Sequence, residues 1–259
     1  MALLEINQLN RRFGGLQAIS EVSFAVEPGI IKAVIGPNGA GKTTLFNLIA
    51  GSLPPSSGTI RFRNEVISGL QPFQIARRGI SRTYQNIKLY PGMTALENVM
   101  IGRHIQSRTG FIAGMLHLPW TRREEAQVRE HCLGLLEMLE IADLAEVEAT
   151  SLAFGQQRAV ELARALAMEP QLLLLDEPAA GLNIYETAEV GRLISKINSQ
   201  GITVLLVEHD MSLVMDISHE IVVLSFGRKI AEDLPLQIQQ NPEVIKIYLG
   251  EEEKEDAQG

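Results

Sequence analysis

Residues 36–44 constrain the fold of this chain more than any other feature. They read Gly-Pro-Asn-Gly-Ala-Gly-Lys-Thr-Thr and fit the pattern G-x-x-x-x-G-K-[ST], in which a glycine-rich loop wraps phosphate groups. The apolar run 30–35 before the loop is typical of a buried strand, and residues 42–50, stopped by Gly51, are typical of a helix. A strand, a glycine loop and a helix N-terminus together direct backbone N–H groups at an anion. The sequence therefore predicts a phosphate-binding loop.

The residue types in this loop suggest separate roles. Lys42 is expected to reach the β- and γ-phosphates, and the Thr43 hydroxyl is expected to complete the shell of a Mg²⁺ ion. The residues expected to hold the phosphates are Gly36, Pro37, Asn38, Gly39, Ala40, Gly41, Lys42, Thr43 and Thr44.

Composition limits the remaining possibilities. With 259 residues and 46% apolar content, the chain can bury a sizeable core as one large domain or two small ones. A formal net charge of −8 argues against nonspecific nucleic-acid binding, which needs clustered lysines and arginines. The single cysteine, Cys132, excludes an internal disulfide and is expected to be a buried apolar residue. We expect no signal peptide, because the N-terminus lacks a basic segment followed by an apolar stretch. We expect no membrane crossing, because no apolar run approaches the roughly 18–20 residues that span a bilayer.

The pattern along the chain predicts an α/β core that a helical insertion interrupts. Apolar and polar residues alternate at 2–9 and 16–27, as in an antiparallel pair, and 59–62 is expected to be a third strand of that sheet. Helices are expected at 94–106 and 121–140. The core then resumes with apolar strands and helices in alternation, at 172–175, 184–199, 202–207, 211–218 and 221–224.

Two carboxylates follow the apolar run 172–175, where a buried strand leaves the sheet. Ligands of open α/β sheets gather at the carboxyl ends of strands, so Asp176 and Glu177 are expected beside the phosphate loop. Asp176 is expected to hold Mg²⁺, generally through water, as the acidic partner of Thr43. Glu177 is suited to orient and polarise an attacking water as general base. For an Asp-Glu pair alone, an acidic turn after a strand is the common alternative.

Two further residues are expected at this edge. His209 follows the next apolar strand and is expected to hydrogen-bond the γ-phosphate, while its neighbours Glu208 and Asp210 are expected to be turn and solvent residues. Gln85 lies at the junction between core and insertion, where its amide can join the metal and water shell when the insertion swings inward.

The segment 152–158 precedes a predicted helix and forms a second anion-binding surface. One chain cannot wrap this segment around a phosphate that its own first loop already encloses. A second chain, docked head to tail, could supply it.

The five motifs occur in the order found in ATP-binding-cassette proteins, which this chain resembles over residues 3–250. The resemblance implies an α/β P-loop NTPase fold with a RecA-like parallel-sheet core, an antiparallel β subdomain and an inserted α-helical subdomain at about 86–168. It implies one nucleotide-binding domain over residues 1–250, with a charged tail at 251–259, and it implies ATP and Mg²⁺ as cofactors.

The resemblance also implies roles outside the phosphate loop. Phe13 would stack on adenine. Phe154, Gly155 and Gln156 would close over the γ-phosphate held by another chain, and residues 180–183 match the loop by which two chains sense each other. The family usually has serine where this chain has Ala153, and glycine is commonest where Phe154 stands. We therefore expect weakened closure rather than an inactive site.

Residues 11–18, 176–183, 208–215 and 248–250 are similar to the ATPase subunits of bacterial branched-chain amino-acid importers. This resemblance implies an ATPase that energises uptake through separate membrane permease subunits, peripheral at the cytoplasmic face of the bacterial inner membrane. It implies a second ATP-binding subunit, either a copy or a sister, with an extracytoplasmic solute-binding protein as an indirect partner and no nucleic acid. Residues 103–120 are similar to an insertion of these subunits, which is either a local helical cover or a permease contact.

Three alternatives to this function stay open from the sequence. They are urea or short-chain amide uptake, lipopolysaccharide export, and a cassette ATPase that acts on ribosomes or DNA.

Overall fold

The structure, a computed structural model, describes residues 1–83, 87–103 and 119–255. Its strands are β1 (Leu4–Phe13), β2 (Leu16–Val26), β3 (Ile31–Ile35), β4 (Ser57–Phe62), β5 (Glu65–Val66), β6 (Ile80–Arg82), β7 (Leu172–Asp176), β8 (Thr203–Val207), β9 (Glu220–Ser225) and β10 (Arg228–Asp233). Its α-helices are α1 (Lys42–Ile49), α2 (Pro72–Ala76), α3 (Ala95–Arg103), α4 (Pro119–Met138), α5 (Phe154–Leu166), α6 (Ile184–Ser199), α7 (Met211–Ile217), α8 (Pro235–Gln240) and α9 (Pro242–Glu255).

The strands form two sheets. The first is antiparallel, with the order β2-β1-β4-β5, and it begins with the predicted hairpin between β1 and β2. The second has the order β10-β9-β3-β8-β7-β6 and is parallel except for β10, which runs antiparallel to β9.

The register of the parallel sheet brings three strand ends together. All residues of β3, β7 and β8 are buried, as expected for a parallel sheet that helices cover on both faces. Val207 at the end of β8 pairs with Val34 of β3 on one side and with Asp176 of β7 on the other. The segments that follow these strands therefore lie at the same edge of the sheet.

Helices pack between and around the two sheets. Leu45, Phe46 and Ile49 of α1 lie in one apolar cluster with residues of both sheets, so α1 joins them. On the other face of the parallel sheet, α3, α4, α5 and α6 share a second cluster that includes Cys132. Burial raises the pKa of the Cys132 thiol to about 11, which fits its predicted place in the core.

The structure departs from the sequence expectations at element ends and edges. Helix α4 ends at Met138 rather than at residue 140, because Glu140 adopts a left-handed φ of 63° that terminates the helix. The strands β6 and β10 at the two edges of the parallel sheet were not predicted. Most of the expected 103–120 insertion and the last four residues of the tail lie outside the described residues.

The limits 86–168 for a helical subdomain, 1–250 for the domain and 251–259 for the tail stay predictions. None of the helices in the described ranges is both long enough and apolar enough to cross a bilayer.

Candidate active site

The phosphate loop connects β3 to α1, and its glycines are required by close backbone contacts. Gly36 has φ 148°, and a Cβ atom there would lie 2.0 Å from the carbonyl oxygen of Leu224. Gly41 has φ 103°, and a Cβ atom there would lie 2.7 Å from the carbonyl oxygen of Ala18. Because any side chain would clash at both positions, the two glycines let the loop pass between β2 and β9.

Lys42 opens α1 and points back into the loop. Its side chain is 7% exposed, and its Nζ donates to the carbonyl oxygens of Gly36 and of Pro37, the latter at 3.0 Å. The first-turn N–H groups of a helix have no intrahelical acceptor, and the helix dipole is positive at this end. The ammonium and the helix N-terminus therefore place two sources of positive potential at one loop, which suits a polyphosphate.

A cleft of about 370 Å³ opens over this loop. It is lined by Phe13, Leu16, Gln17, Ala18, Asn38, Gly39, Ala40, Gly41, Lys42, Thr43, Thr44, Glu177, Phe226 and Gly227. Of the residues predicted from the sequence, the structure thus brings together the aromatic ring, seven residues of the phosphate loop and the candidate general base.

Glu177 projects from a strained turn at the end of β7. Its φ is 50°, a left-handed value that is uncommon for a residue with a side chain, and its N–H donates to the carbonyl oxygen of Val207 at 2.9 Å. Backbone strain of this kind collects at functional sites, where neighbouring structure holds it in place. The turn presents the Glu177 side chain to the cleft, which residues of the phosphate loop also line.

Asp176 does not line the cleft but lies buried below it. Its carboxylate is bound by Arg82 at the end of β6, with 2.7 Å between Nη2 and Oδ2, and Nη1 of the same guanidinium donates to Oδ1 of Asn47 in α1 at 2.7 Å. The sequence analysis missed this arginine, because the pair spans 94 positions of the chain. Arg82 ties the residue expected to hold Mg²⁺ to the strand that leads into residue 85.

His209 and Glu208 follow β8 at the same edge, and the expectation that Glu208 is a solvent residue was wrong. His209 is 63% exposed at its side chain and does not line the cleft. Glu208 was expected to be a solvent residue, but it is completely buried. Its carboxylate accepts backbone N–H groups from two different turns, so burial costs it no hydrogen bonds. Asp210 caps α7 by accepting the N–H of Leu213 at 3.1 Å.

The first turn of α5 lies away from the cleft of its own chain. Phe154 is 45% exposed, and its ring lies beside Gly181, in the loop that precedes α6. Gln156 turns back, and its Oε1 accepts the N–H of Ala153 at 3.1 Å. Ala153 occupies the cap position of α5 without a side-chain hydrogen bond. Phe154, Gly155 and Gln156 are thus not brought to the phosphate loop of the same chain.

One predicted site residue is not described by the structure, and one hairpin at the cleft was not predicted. Gln85 lies outside the described residues. The hairpin between β9 and β10 was missed, although Phe226 and Gly227 line the cleft and the Gly227 N–H donates to the Ala40 carbonyl oxygen at 2.9 Å. The Ser-Phe-Gly-Arg run at 225–228 was the turn signal that could have revealed it.

Comparison with known proteins places this site in a family. A family model described as ABC transporter matches residues 19–180, and one described as branched-chain amino acid ATP-binding cassette transporter matches residues 228–254. The chain is 47% identical to the high-affinity branched-chain amino acid transport ATP-binding protein BraF of Pseudomonas aeruginosa, over 96% of this chain and 98% of that protein. It is 44% identical to the corresponding LivG protein of Escherichia coli K12, with the same coverage.

Solved structures confirm the fold class. The crystal structure of the ADP conformation of an ATP-binding cassette from an ABC transporter is similar with a TM-score of 0.83 and 32% identity, over 96% of this chain and 99% of that chain. A dimeric cassette in a post-hydrolysis state with ADP and Pi has a TM-score of 0.75 and 25% identity, over 90% of this chain and 98% of that chain. The fold is therefore the α/β P-loop NTPase cassette that the sequence predicted. With relatives that align over nearly its full length, the chain belongs to the ABC transporter family of ATP-binding proteins and is a nucleotide-binding ATPase.

Proposed function

We propose that this chain is the ATP-hydrolysing subunit of an importer for branched-chain amino acids. The observation that carries the proposal is that Phe13, residues 38–44 of the phosphate loop and Glu177 all line one cleft. The class of cargo comes from the names of the relatives, which are branched-chain amino acid transport ATP-binding proteins. Urea uptake, lipopolysaccharide export and action on ribosomes or DNA are not favoured by any observation on this chain.

The two ends of the cleft fit the two ends of ATP. At one end, the half-exposed Phe13 ring offers a flat apolar surface on which the adenine would stack. At the other end, Lys42 and the N–H groups of residues 36–44 would bind the phosphates. Lys42 would then exchange its present acceptors, the loop carbonyls of Gly36 and Pro37, for phosphate oxygens.

Hydrolysis needs a base on the side of the cleft that faces the terminal phosphate. Glu177 would accept a proton from the attacking water and orient it, as a carboxylate held in a fixed turn can. His209, on the neighbouring turn, would hydrogen-bond the γ-phosphate, and Gln85 would join the shell of water and metal. These roles of Glu177, His209 and Gln85 are proposals that the sequence pattern supports.

The oxygen donors near the loop fit Mg²⁺. Thr43 offers a hydroxyl, and Asp176 offers a carboxylate that Arg82 binds in the structure and that would act on the ion through water. Mg²⁺ prefers such hard oxygen ligands together with water. Thr43 lies in the segment that follows β3 and Asp176 is the last residue of β7, and these strands end at one edge of the sheet, which is where the phosphates would lie. Bound Mg²⁺ would neutralise part of the phosphate charge.

The first turn of α5 supports a functional unit of two cassettes. Phe154, Gly155 and Gln156 do not reach the cleft of their own chain, so they would close over ATP held by a second cassette, and the same contact would be returned. A related cassette is dimeric in its complex with ADP and Pi. The second cassette would be a copy or a sister subunit.

The remaining partners follow from the transport role. Permease subunits in the bacterial inner membrane would receive the closing motion through the region of residues 85–120, at the cytoplasmic face. An extracytoplasmic solute-binding protein would deliver the amino acid to the permease. No nucleic acid takes part.

The substitution Glu177→Gln tests the catalytic proposal. It keeps the shape of the side chain but removes its basicity, so we expect ATP binding to persist while kcat falls by about 10²- to 10⁴-fold. Binding is measured with the purified full-length chain, and turnover by phosphate release from the assembled transporter. The exposed Glu189 is a matched control, because Glu189→Gln removes the same charge from α6 and should leave turnover unchanged. Undiminished hydrolysis by the Glu177 variant would remove this residue from the role.

The cargo is tested separately. The chain is purified with the permeases that accompany it and reconstituted into vesicles, and ATP-dependent uptake of leucine, isoleucine and valine is compared with uptake of urea. ATP-dependent uptake of the branched-chain amino acids, without uptake of urea, supports the proposal. ATP-dependent uptake of urea would contradict it, as would the co-purification of ribosomes or DNA with the chain in place of a permease.

A further inference from the structure

Glu208 is a completely buried carboxylate to which the sequence assigned no function. Its Oε1 accepts the N–H of Ala179 at 2.8 Å. Its Oε2 accepts the N–H of His209 at 2.8 Å and that of Asp210 at 3.3 Å. One side chain thus connects the turn after β7 with the turn after β8.

Each of these turns carries a different part of the proposed machinery. The turn after β7 begins with Glu177, and a chain of backbone hydrogen bonds leads from it into residues 180–183: the Ala180 N–H donates to Glu177 and the Leu182 N–H donates to Ala179. The turn after β8 carries His209, whose Nδ1 lies 3.6 Å from Oε2 of Glu208. Glu208 therefore lies between the candidate base, the residue expected at the γ-phosphate and the loop expected to contact another cassette.

The chemistry of the link favours an acidic side chain. Both oxygens of a carboxylate accept hydrogen bonds, so it can bind N–H donors on two sides. A carboxamide of the same shape would present its NH₂ group to one of these donors. The Glu177 N–H also donates to the Val207 carbonyl oxygen, but this bond joins the turns at their first residues and does not reach residues 178–183 or His209. Residues 178–183 are thus held against the turn after β8 by the Oε1 contact with Ala179.

We propose that Glu208 is a positioning residue for ATP hydrolysis, which holds Glu177, residues 180–183 and His209 in one common arrangement. A shift of His209 on contact with the γ-phosphate then reaches residues 180–183 through a single rigid side chain. This inference rests on the proposed function, because it concerns ATP hydrolysis at the same cleft. Glu208 is not a catalytic residue, since it is enclosed beneath the two turns and does not line the cleft.

Two substitutions at position 208 give a graded test. Glu208→Gln keeps one accepting oxygen but presents an NH₂ group to the other turn, and Glu208→Met keeps the length but has no strong acceptor. Nucleotide affinity of the full-length chain should stay within about twofold, because Glu208 does not touch the cleft, while kcat of the assembled transporter falls by about ten- to a hundredfold with Gln and further with Met. Affinity that falls together with kcat, or a Gln variant with unchanged kcat, would overturn the proposal.

A matched control separates positioning from general loss of stability. Lys32 is a buried charge in the same sheet: it is 2% exposed, and its Nζ lies 2.8 Å from Oε2 of Glu220. In the strand register it lies in β3 opposite Leu205 of β8, away from the catalytic edge. Lys32→Met should lower the melting temperature and leave kcat per nucleotide-binding chain unchanged. An equal loss of kcat in this control would show that destabilisation alone accounts for the Glu208 effect.

A double-mutant cycle with His209→Ala provides the readout that a purely structural role would not move. If Glu208 and His209 act as one unit, the double variant should lose clearly less activity than the product of the two single losses. A combined loss within about twofold of that product would overturn the coupling even if Glu208→Met failed to fold, because the cycle uses the Gln variant. Absence of ATP hydrolysis in the unsubstituted transporter would instead contradict the proposed function.

Discussion

At the scale of single residues, the active site combines side chains that belong to short local motifs with side chains that are held by contacts distant in the sequence. Lys42, Thr43 and Glu177 belong to short motifs whose spacing alone predicts their place beside the phosphates. Glu208 and Arg82 do not, because their partners lie 29 and 94 positions away. A buried carboxylate is accepted only where specific donors surround it, and those donors exist only after distant turns have come together.

Ala153 stands where the resemblance to ATP-binding-cassette proteins led us to expect serine. It precedes α5 at the cap position, where serine would accept a first-turn N–H with its hydroxyl and could donate to a phosphate at the same time. In the structure the side chain of Gln156 supplies the only capping bond described for this end, to the Ala153 N–H at 3.1 Å. The first-turn N–H groups of α5 therefore lack a hydroxyl acceptor from position 153.

We predict that Ala153→Ser raises the stability of the chain by about 1 kcal/mol, as a new helix cap does, and modestly tightens ATP-dependent association. Association is measured by analytical ultracentrifugation in the Glu177→Gln background, so that the ATP persists. Ala153→Gly is the matched control, since glycine tolerates the cap conformation but has no hydroxyl to offer a phosphate. If serine and glycine change association equally, the missing hydroxyl has no consequence at this site.

At the scale of elements, apolar periodicity predicted the central strands but not the edges. β3, β7 and β8 are apolar runs in which every residue is buried. Such runs are typical of parallel strands covered on both faces, so the sequence was sufficient to predict them. β10 has two apolar residues between two pairs of charged residues, without the alternation typical of a strand, and β6 has only three residues. Neither sequence therefore carries a pattern strong enough to separate a strand from a loop. The hairpin that places Phe226 over the cleft was missed for that reason.

Charged side chains also join elements that lie far apart in the sequence. Glu140, just beyond the end of α4, is bound by Arg192 and Lys196 of α6, with 2.6 Å to Arg192 and 2.9 Å to Lys196. The hydrogen bonds from Arg192 and then from Lys196 lower the pKa of Glu140 to about 2. The network joins the helical part of the chain to the α/β core at the surface.

We predict that Glu140→Gln lowers the melting temperature slightly at neutral pH and that the difference from the unsubstituted chain shrinks in acid. The folded pKa of Glu140 lies below the unfolded value of 4.5, so its contribution is fully present above pH 4.5 and is lost as the pH falls toward about 2. Because the pair is exposed, 0.5 M salt should also reduce the difference. Glu189→Gln, which removes a partner of the same arginine within α6 alone, should have the smaller effect. A difference that grows between pH 4.5 and pH 3 would contradict the assignment.

At the scale of the whole molecule, two apolar surfaces lack cover in the part of the chain that the structure describes. Leu16 and Phe226, at the rim of the cleft, are 68% and 85% exposed. Ile184 and Tyr185, at the start of α6, are 87% and 88% exposed beside the loop 180–183. Large apolar side chains clustered on a surface mark sites of association, and head-to-tail docking of two cassettes would cover both surfaces at once.

This arrangement predicts that hydrolysis depends on the concentration of cassettes. If two chains are needed to complete each site, as proposed, activity per chain of the purified cassette should fall in proportion to concentration once the pair dissociates. Phosphate release is measured over a dilution series at saturating ATP.

Ile184→Glu should move the midpoint to higher concentration without changing nucleotide affinity, because Ile184 lies outside the cleft, on a surface that docking would cover. Leu236→Glu, equally apolar and 67% exposed but on α8, should leave the midpoint unchanged. Activity per chain that stays constant to the lowest concentrations would mean that one chain encloses ATP by itself, and the two-cassette site would be wrong.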